Sequence, residues 1–155
     1  MANEIERKFL VKGNQWRNQS SGVLYRQGYL STHINRTVRI RVVGKKGFIT
    51  IKSLVRGSLR TEYEYEIPFK DAAFMLSELC KHPIIEKNRY KIKYEGHVWE
   101  VDEFFGENEG LIVAEVELSH ENQSIDLPDW IGLEVTDDPR YLNANLVKVP
   151  YKNWK

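Results

Sequence analysis

The sequence predicts a mainly β (α+β) fold of eight antiparallel strands with a few covering helices, in which the strands form either one solvated sheet or a closed barrel with a polar lumen. Three observations support this prediction. Hydrophobic and polar residues alternate with period two along most of the chain. The connections between the alternating runs are short and contain turn-forming residues. Like charges recur two residues apart on one run after another, and an eight-stranded barrel encloses room for one small ligand.

Composition limits the class of protein. The chain has 155 residues, of which 41% are hydrophobic and 12% aromatic, so intrinsic disorder is excluded and one domain over residues 1–155 is expected. The formal net charge of +1 argues against a nucleic-acid or membrane-surface partner. A single cysteine excludes an internal disulfide, and with no signal-peptide pattern the sequence indicates a cytoplasmic protein.

The strands follow from the alternation. In chain order they are predicted at about 3–11, 23–32, 36–43, 47–54, 59–69, 84–94, 97–105 and 110–119. Consecutive strands joined by such short turns are antiparallel neighbours. The eight strands therefore predict one sheet rather than two domains.

Two helices are predicted outside the strands. Asp71 can cap the first helix, residues 72–80 give it an apolar stripe, and Pro83 stops it. A second, weaker helix is predicted after Pro139. Residues 12–22 fit either a loop or a short helix.

The polar faces of the strands carry two kinds of charge. On any single strand such charges could simply face water, but their recurrence on eight strands indicates either one solvated sheet or a barrel with a polar lumen. Neighbouring carboxylates repel unless a cation neutralises them, and hard divalent cations prefer several carboxylate oxygens. Arginine forks match phosphate oxygens. Carboxylates and basic side chains in one small cavity therefore suggest a metal-bound polyphosphate as ligand.

Several sequence elements occur in a characteristic order. They are Glu4-x-Glu6-x-Lys8, Arg26-Gln27-Gly28-Tyr29-Leu30, Arg39-x-Arg41, Thr50-x-Lys52, Arg60-x-Glu62-x-Glu64, Lys87-x-Arg89, Asp102 and Glu115-Val116-Glu117. In this order they resemble the CYTH superfamily, also called triphosphate tunnel metalloenzymes. The resemblance extends over residues 3–148, and the short bacterial inorganic triphosphatases are the members most similar to this chain.

The resemblance implies both a fold and a set of roles. It implies an eight-stranded antiparallel tunnel that hydrolyses inorganic triphosphate to pyrophosphate and phosphate with Mg²⁺ or Mn²⁺. The implied metal ligands are Glu4, Glu6, Glu115 and Glu117, with Glu64 and Asp102 in support. The implied triphosphate-binding residues are Lys8, Arg39, Arg41, Lys52, Lys87 and Arg89.

Lys8 and Tyr29 are the predicted catalytic pair. Tyr29 can share the lumen face with Tyr25 and Gln27, and in some family members a lysine–tyrosine pair is thought to activate water. Either group would accept the proton of the attacking water in its deprotonated form. Two simpler hypotheses stay open: Tyr29 only packs or donates to a phosphate, or metal-bound hydroxide is the base.

Two other functions stay open at the level of the sequence. The same fold in other members uses organic triphosphates, as in adenylate cyclase or thiamine triphosphatase. Alternatively, the chain could bind polyphosphate or nucleotide without turning it over. In each case the expected partner is a small-molecule triphosphate, with no nucleic acid and no membrane, and the chain could form a homodimer.

Overall fold

The computed structural model describes residues 2–56 and 59–154, and its main element is an antiparallel sheet. In chain order the strands are β1 Ala2–Val11, β2 Val23–Ser31, β3 Thr37–Val43, β4 Lys46–Arg56, β5 Leu59–Ile67, β6 Ile85–Tyr94, β7 His97–Phe104, β8 Ile112–Glu117 and β9 Ile131–Glu134. The strand order is β5-β4-β3-β2-β6-β7-β8-β1-β9, and β5 also pairs with β1. This extra pairing closes β1 to β8 into a barrel and confirms the predicted fold class.

Closure of the barrel depends on β1. Ala2 pairs with Glu62 of β5, and Glu6 pairs with Glu117 of β8. Phe9 pairs with β9 farther along the strand, so β5 and β9 share one edge of β1 in succession. The sequence did not predict β9, because four residues that include a glycine are too short to show an alternation.

The first helix starts earlier than predicted. It is α1, Phe69–Glu78, and Pro68 rather than Asp71 occupies its N-cap position. The carbonyl of Pro68 accepts from the amide of Ala72 at 3.0 Å, which makes the first helical turn. Asp71 lies inside that turn, where a carboxylate still interacts favourably with the helix dipole.

The remaining helices are short. The predicted second helix is divided into a 3₁₀ turn at Pro139–Tyr141 and the helix α2, Asn143–Lys148. Within residues 12–22, which fit either a loop or a short helix, Gln15–Asn18 form a 3₁₀ turn, and two further 3₁₀ turns lie at Gly106–Asn108 and Tyr151–Asn153. None of the helices among the described residues has the length and hydropathy needed to cross a membrane.

The hydrophobic core lies outside the barrel. Phe9 and Trp99 on the outer face of the sheet pack at 5.6 Å between ring centroids, and Trp16 and Trp130 cover them. On another side, α1 covers β3 and β4 so closely that a Cβ on Gly47 would lie 2.5 Å from the Cβ of Ala72. Because the apolar faces are covered from outside, the charged faces of the same strands point into the lumen.

Candidate functional site

The lumen is a cavity of about 230 Å³ to which all eight barrel strands contribute side chains. Its charged lining consists of Glu4, Glu6, Lys8, Arg39, Arg41, Lys52, Arg60, Glu62, Glu64, Lys87, Arg89, Glu100 and Glu115. A cavity of this size with charges of both signs suits a small, highly charged ligand.

The structure brings most of the predicted site residues into this cavity. Tyr29 and all the predicted triphosphate-binding residues line it, as do the predicted metal ligands Glu4, Glu6, Glu64 and Glu115. Asp102 lies behind the lining and is almost fully buried. Glu117, the last residue of β8, is exposed. Neither of these two carboxylates lines the cavity.

Asp102 holds two of the cations in place. Its two oxygens accept from Arg89 Nε at 2.8 Å and Arg89 Nη2 at 2.9 Å. Lys87 Nζ lies 2.8 Å from Oδ2 of the same carboxylate. Burial opposes ionisation, but Arg89 and Lys87 keep the pKa of Asp102 below its usual value. The carboxylate is therefore committed to orienting these two side chains.

The cations of this wall are crowded and poorly solvated. Burial lowers the pKa of Lys87 to about 7, with Asp102 acting against this shift. Burial also lowers the pKa of Arg41 to about 9, assisted by the nearby charges of Arg39 and Arg89. The guanidinium carbons of Arg41 and Arg89 each lie 4.8 Å from the ring centroid of Tyr25. A bound anion would relieve this accumulation of positive charge.

Arg39 leaves a buried donor without a partner. Its Nη2 donates to Thr50 Oγ1 at 3.1 Å, and Thr50 in turn donates to Glu64 at 2.7 Å. Arg39 Nε is buried and has no acceptor among the described residues. Because an unsatisfied buried donor costs free energy, this atom is a candidate contact for a ligand oxygen.

The carboxylates form the other side of the cavity. Burial and the charge of Glu115 raise the pKa of Glu6 well above its usual value, and burial also raises that of Glu4. Lys52 Nζ lies 2.9 Å from Glu4 Oε1. Lys8 Nζ lies 3.6 Å from Glu115 Oε1.

These carboxylates have the donor chemistry that a hard divalent cation prefers. Like charges crowd Glu4 and Glu6, and a cation would relieve their repulsion. Burial opposes the ionisation of Glu115, but Lys8, Arg89 and Lys87 keep its pKa below its usual value. In their present rotamers, no three acidic, histidine or cysteine side chains of the described residues form a metal-binding group. The residues thus fit a hard divalent cation in the chemistry of their carboxylate donors, and not through a preformed set of three ligands within residues 2–56 and 59–154.

Lys8 and Tyr29 both face the cavity but are not joined to each other by a hydrogen bond within the described chain. Lys8 Nζ instead donates to the carbonyl of Tyr141 at 2.9 Å. Tyr29 is 5% exposed and lies beside Arg39 of β3. The catalytic pairing of Lys8 with Tyr29 stays a prediction.

Two uncharged residues of this site had no role assigned from the sequence. Gln27 Oε1 accepts from Arg41 Nε at 3.0 Å, and Asn143 Oδ1 accepts from Lys87 Nζ at 3.3 Å. Alternation with Tyr25 and Tyr29 placed Gln27 on the lumen face but indicated no contact with Arg41. Asn143 gave no such signal, because it reaches the lumen from α2 rather than from a strand.

Comparison with known proteins agrees with this geometry. The CYTH domain family matches residues 2–149. An inorganic triphosphatase of Acetivibrio thermocellus is 56% identical over 155 residues, which cover 100% of this chain and 99% of the relative. An inorganic triphosphatase of Nitrosomonas europaea is 39% identical over 147 residues, which cover 92% of this chain and 95% of that relative.

A solved structure extends the comparison to the fold. The crystal structure of the inorganic triphosphatase NE1496 has a TM-score of 0.67 and 37% sequence identity, and the match covers 92% of this chain and 96% of that chain. The fold, the charged lumen and the match over residues 2–149 agree. The chain therefore belongs to the CYTH domain family.

Proposed function

We propose that this chain, as a single CYTH-like domain, hydrolyses inorganic triphosphate to pyrophosphate and phosphate inside the barrel. The main structural support is the incompletely neutralised cationic wall. In this wall Arg39 keeps a buried donor with no acceptor among the described residues, and Lys87 and Arg41 have lowered pKa values. A linear, highly charged anion supplies what this wall lacks, because charge-assisted hydrogen bonds to phosphate oxygens are strong. The relatives named as inorganic triphosphatases support the same substrate.

The lining of the cavity favours an inorganic over an organic triphosphate. Tyr29 is the one aromatic side chain among the described lining residues. The uncharged lining outside the barrel strands includes Thr32 and Ile34, which offer no ring for a nucleobase or thiamine to stack on. Adenylate cyclase or thiamine triphosphatase activity is therefore the less supported alternative.

We propose Glu4, Glu6 and Glu115 as the main metal-holding residues. Their carboxylates line one cavity, and the raised pKa values of Glu4 and Glu6 reflect a need for positive charge. Mg²⁺ or Mn²⁺ bound there would polarise a phosphoryl oxygen. Glu64 lines the same cavity, whereas the contacts of Asp102 support a role in holding Lys87 and Arg89, and Glu117 remains a predicted ligand.

The chain's own side chains would bind and orient the substrate. Lys8, Arg39, Arg41, Lys52, Lys87 and Arg89 are the proposed phosphate-binding groups. The Asp102 carboxylate fixes the side chains of Arg89 and Lys87, so these two side chains lose less conformational entropy when triphosphate binds. Tyr29 is the proposed group that accepts or directs the proton of the attacking water, with Lys8 as its partner.

The location and assembly of the protein are part of the same proposal. The ligand of a cavity of about 230 Å³ is a small molecule, so neither nucleic acid nor a membrane is needed as partner. We propose a cytoplasmic protein. A homodimer remains a prediction.

A substrate panel tests the proposed function. Phosphate release is measured from inorganic triphosphate, ATP and thiamine triphosphate, each with Mg²⁺ and with Mn²⁺. The highest kcat/KM is expected for inorganic triphosphate. A higher kcat/KM for ATP or thiamine triphosphate would move the assignment to an organic substrate. Binding of triphosphate without turnover in either metal would leave only a binding module.

A further inference from the structure

An uncharged side chain from outside the barrel reaches the cationic wall. Asn143, the first residue of α2, lines the cavity. Its Oδ1 accepts from Lys87 Nζ and from Gln27 Nε2, each at 3.3 Å. Gln27 is completely buried, and its Oε1 accepts from Arg41 Nε at 3.0 Å. Arg41, Gln27, Asn143 and Lys87 therefore form one continuous hydrogen-bonded chain.

The chemistry of this chain fixes the orientation of both amides. A guanidinium group can only donate, so the oxygen of Gln27 must face Arg41, and the protonated form of Lys87 likewise requires the oxygen of Asn143. The amide nitrogen of Gln27 is then directed to the oxygen of Asn143, as observed. Asn143 Nδ2 keeps its N–H groups free of any acceptor in the described part of the chain.

We propose that Asn143 is a substrate-contacting residue whose Nδ2 donates to a phosphoryl oxygen, and that Gln27 is a positioning residue that fixes the orientation of this amide. The inference rests on the proposed triphosphate function and deepens it by one residue contributed from α2. Asn143 lies beside Lys87 in the lining of the same cavity, so an anion bound to Lys87 is within reach of the amide.

A neutral amide suits this place better than a carboxylate does. Asp102 illustrates the effect of a carboxylate, since it accepts from Lys87 and Arg89 and cancels part of their charge. An amide oxygen accepts from Lys87 in the same way but leaves the positive charge available to an anion. Asn143→Asp keeps the shape of the side chain but removes the amide donor. The substitution therefore separates donation to the substrate from a purely structural role of Asn143.

The test measures binding and folding stability separately. A methylene-bridged triphosphate, which has no hydrolysable bridge, is titrated calorimetrically in MgCl₂ into the wild-type protein and Asn143→Asp, and thermal melts are recorded without ligand. Asn143→Asp is expected to weaken binding by about tenfold or more, because it loses a donor and adds repulsion. Its Tm is expected to be unchanged or higher, because Lys87 gains a charged partner.

Lys148→Gln is the matched control. Lys148 lies in the last turn of α2, is exposed and does not line the cavity. The substitution changes the net charge of the same helix by the same amount as Asn143→Asp does. Binding of the analogue to Lys148→Gln is expected to stay within about twofold of wild type, as is usual for a screened surface charge.

Further variants keep the inference testable if Asn143→Asp does not fold. Asn143→Ala removes the donor and is expected to weaken binding about fivefold or more. Gln27→Met is expected to weaken binding only while Asn143 is present, so the two substitutions are non-additive. Wild-type affinity in the Asn143 variants, or a lower Tm with unchanged affinity, overturns the inference and leaves the proposed function intact. A wild-type protein that does not bind the analogue overturns both.

Discussion

Ion pairs on the outside of the barrel differ from the charges inside it. On the outside, Arg7 donates two hydrogen bonds to Glu134 at 2.9 and 2.7 Å, and Arg17 donates two to Glu103 at 2.7 and 3.1 Å. Each of these arginines is paired with a carboxylate of its own, and two hydrogen bonds join the two groups. In the lumen, Arg39 keeps a donor that has no partner among the described residues.

The outer charges are thus neutralised by partners within the protein, whereas some of the lumen charges can be neutralised only by a ligand. Exposed pairs gain little free energy because water and salt screen them. Buried charges interact strongly, so each one that lacks a partner is costly and gains much from a ligand. We therefore expect substitutions in the lumen to change binding and turnover, and substitutions outside to change stability slightly.

The largest effect on turnover is expected when a lumen carboxylate is replaced, and replacement of an outer carboxylate is the comparison. Glu6→Gln removes a proposed metal-holding charge and is expected to lower kcat by about 10³-fold or more. The Tm of the metal-free protein is expected to stay or rise, because burial and Glu115 already disfavour the charged form of Glu6. Phosphate release and thermal melts measure the two quantities, with Glu134→Gln as the outer control. Near-normal turnover of Glu6→Gln in saturating Mg²⁺ would contradict the assignment.

Asp102→Asn breaks the buried ion pairs that hold two cations. Removing one partner of such a buried network costs about 3–5 kcal/mol, so a large loss of the free energy of unfolding is expected in chemical denaturation. Lys87 and Arg89 then lose the countercharge they share, although Arg89 keeps Glu100 at 3.4 Å. Triphosphate is therefore expected to raise the Tm more in this variant than in the wild type. A variant as stable as wild type would show that Asp102 is not the structural anchor of this wall.

Tyr29→Phe tests the proposed proton-handling group. Loss of the hydroxyl is expected to lower kcat about 10²-fold with KM nearly unchanged, as for a general acid–base group. Steady-state kinetics with inorganic triphosphate measures both constants. If kcat stays at the wild-type value, Tyr29 only packs or donates to phosphate, and metal-bound hydroxide becomes the simpler base.

Arg41→Ala and Arg39→Ala are expected to weaken triphosphate binding by roughly 1.5–3 kcal/mol each, the scale of a hydrogen bond to a charged group. Calorimetric titration beside thermal melts separates binding from stability. Arg17→Ala provides the outer arginine for comparison and is expected to leave binding unchanged. Lost stability with unchanged binding in the lumen variants would make their role structural.

The smallest effect concerns pH and the outer pair. The hydrogen bond from Arg7 lowers the pKa of Glu134, so the pair stabilises the fold above the unfolded pKa of about 4.5 and loses this contribution as the pH falls through the folded pKa. Because Glu134 is 38% exposed, we expect Glu134→Gln to cost less than about 1 kcal/mol at pH 7 and a smaller amount at pH 3. Equal Tm differences at both pH values would contradict this.

Local periodicity explains what could be predicted from the sequence. Alternation fixes which side chains of a strand share a face, so it is enough to place Lys87, Arg89 and Asp102 on one wall. The role of Asp102 depends on distances across two strands, which alternation does not contain. A carboxylate that binds metal and one that holds arginine have the same sequence pattern.

Elements without periodicity could not be predicted. β9 is four residues long and contains Gly132, so its place beside β1 depends on tertiary packing. The start of α1 at Pro68 depends on backbone geometry rather than on the preference of Asp71 for a cap. Asn143 reaches the lumen only because α2 packs across one end of the barrel. Its hydrogen bond with Gln27 joins residues that are 116 positions apart in the sequence.

The pairing of β1 with β5, β8 and β9 has a consequence for how the protein folds. The strand carrying Glu4, Glu6 and Lys8 is the first in the chain, but its partner β8 lies more than a hundred residues later, as in the pair Glu6 and Glu117. Pairings across such long loops carry an entropy cost that must be met before any contact is gained, and they slow folding. We therefore expect late closure of the barrel, after the hairpins formed by β2 to β7. A partly folded chain would hold the arginines of β3 together but lack the carboxylates of β1, so it would attract phosphate without being able to hydrolyse it.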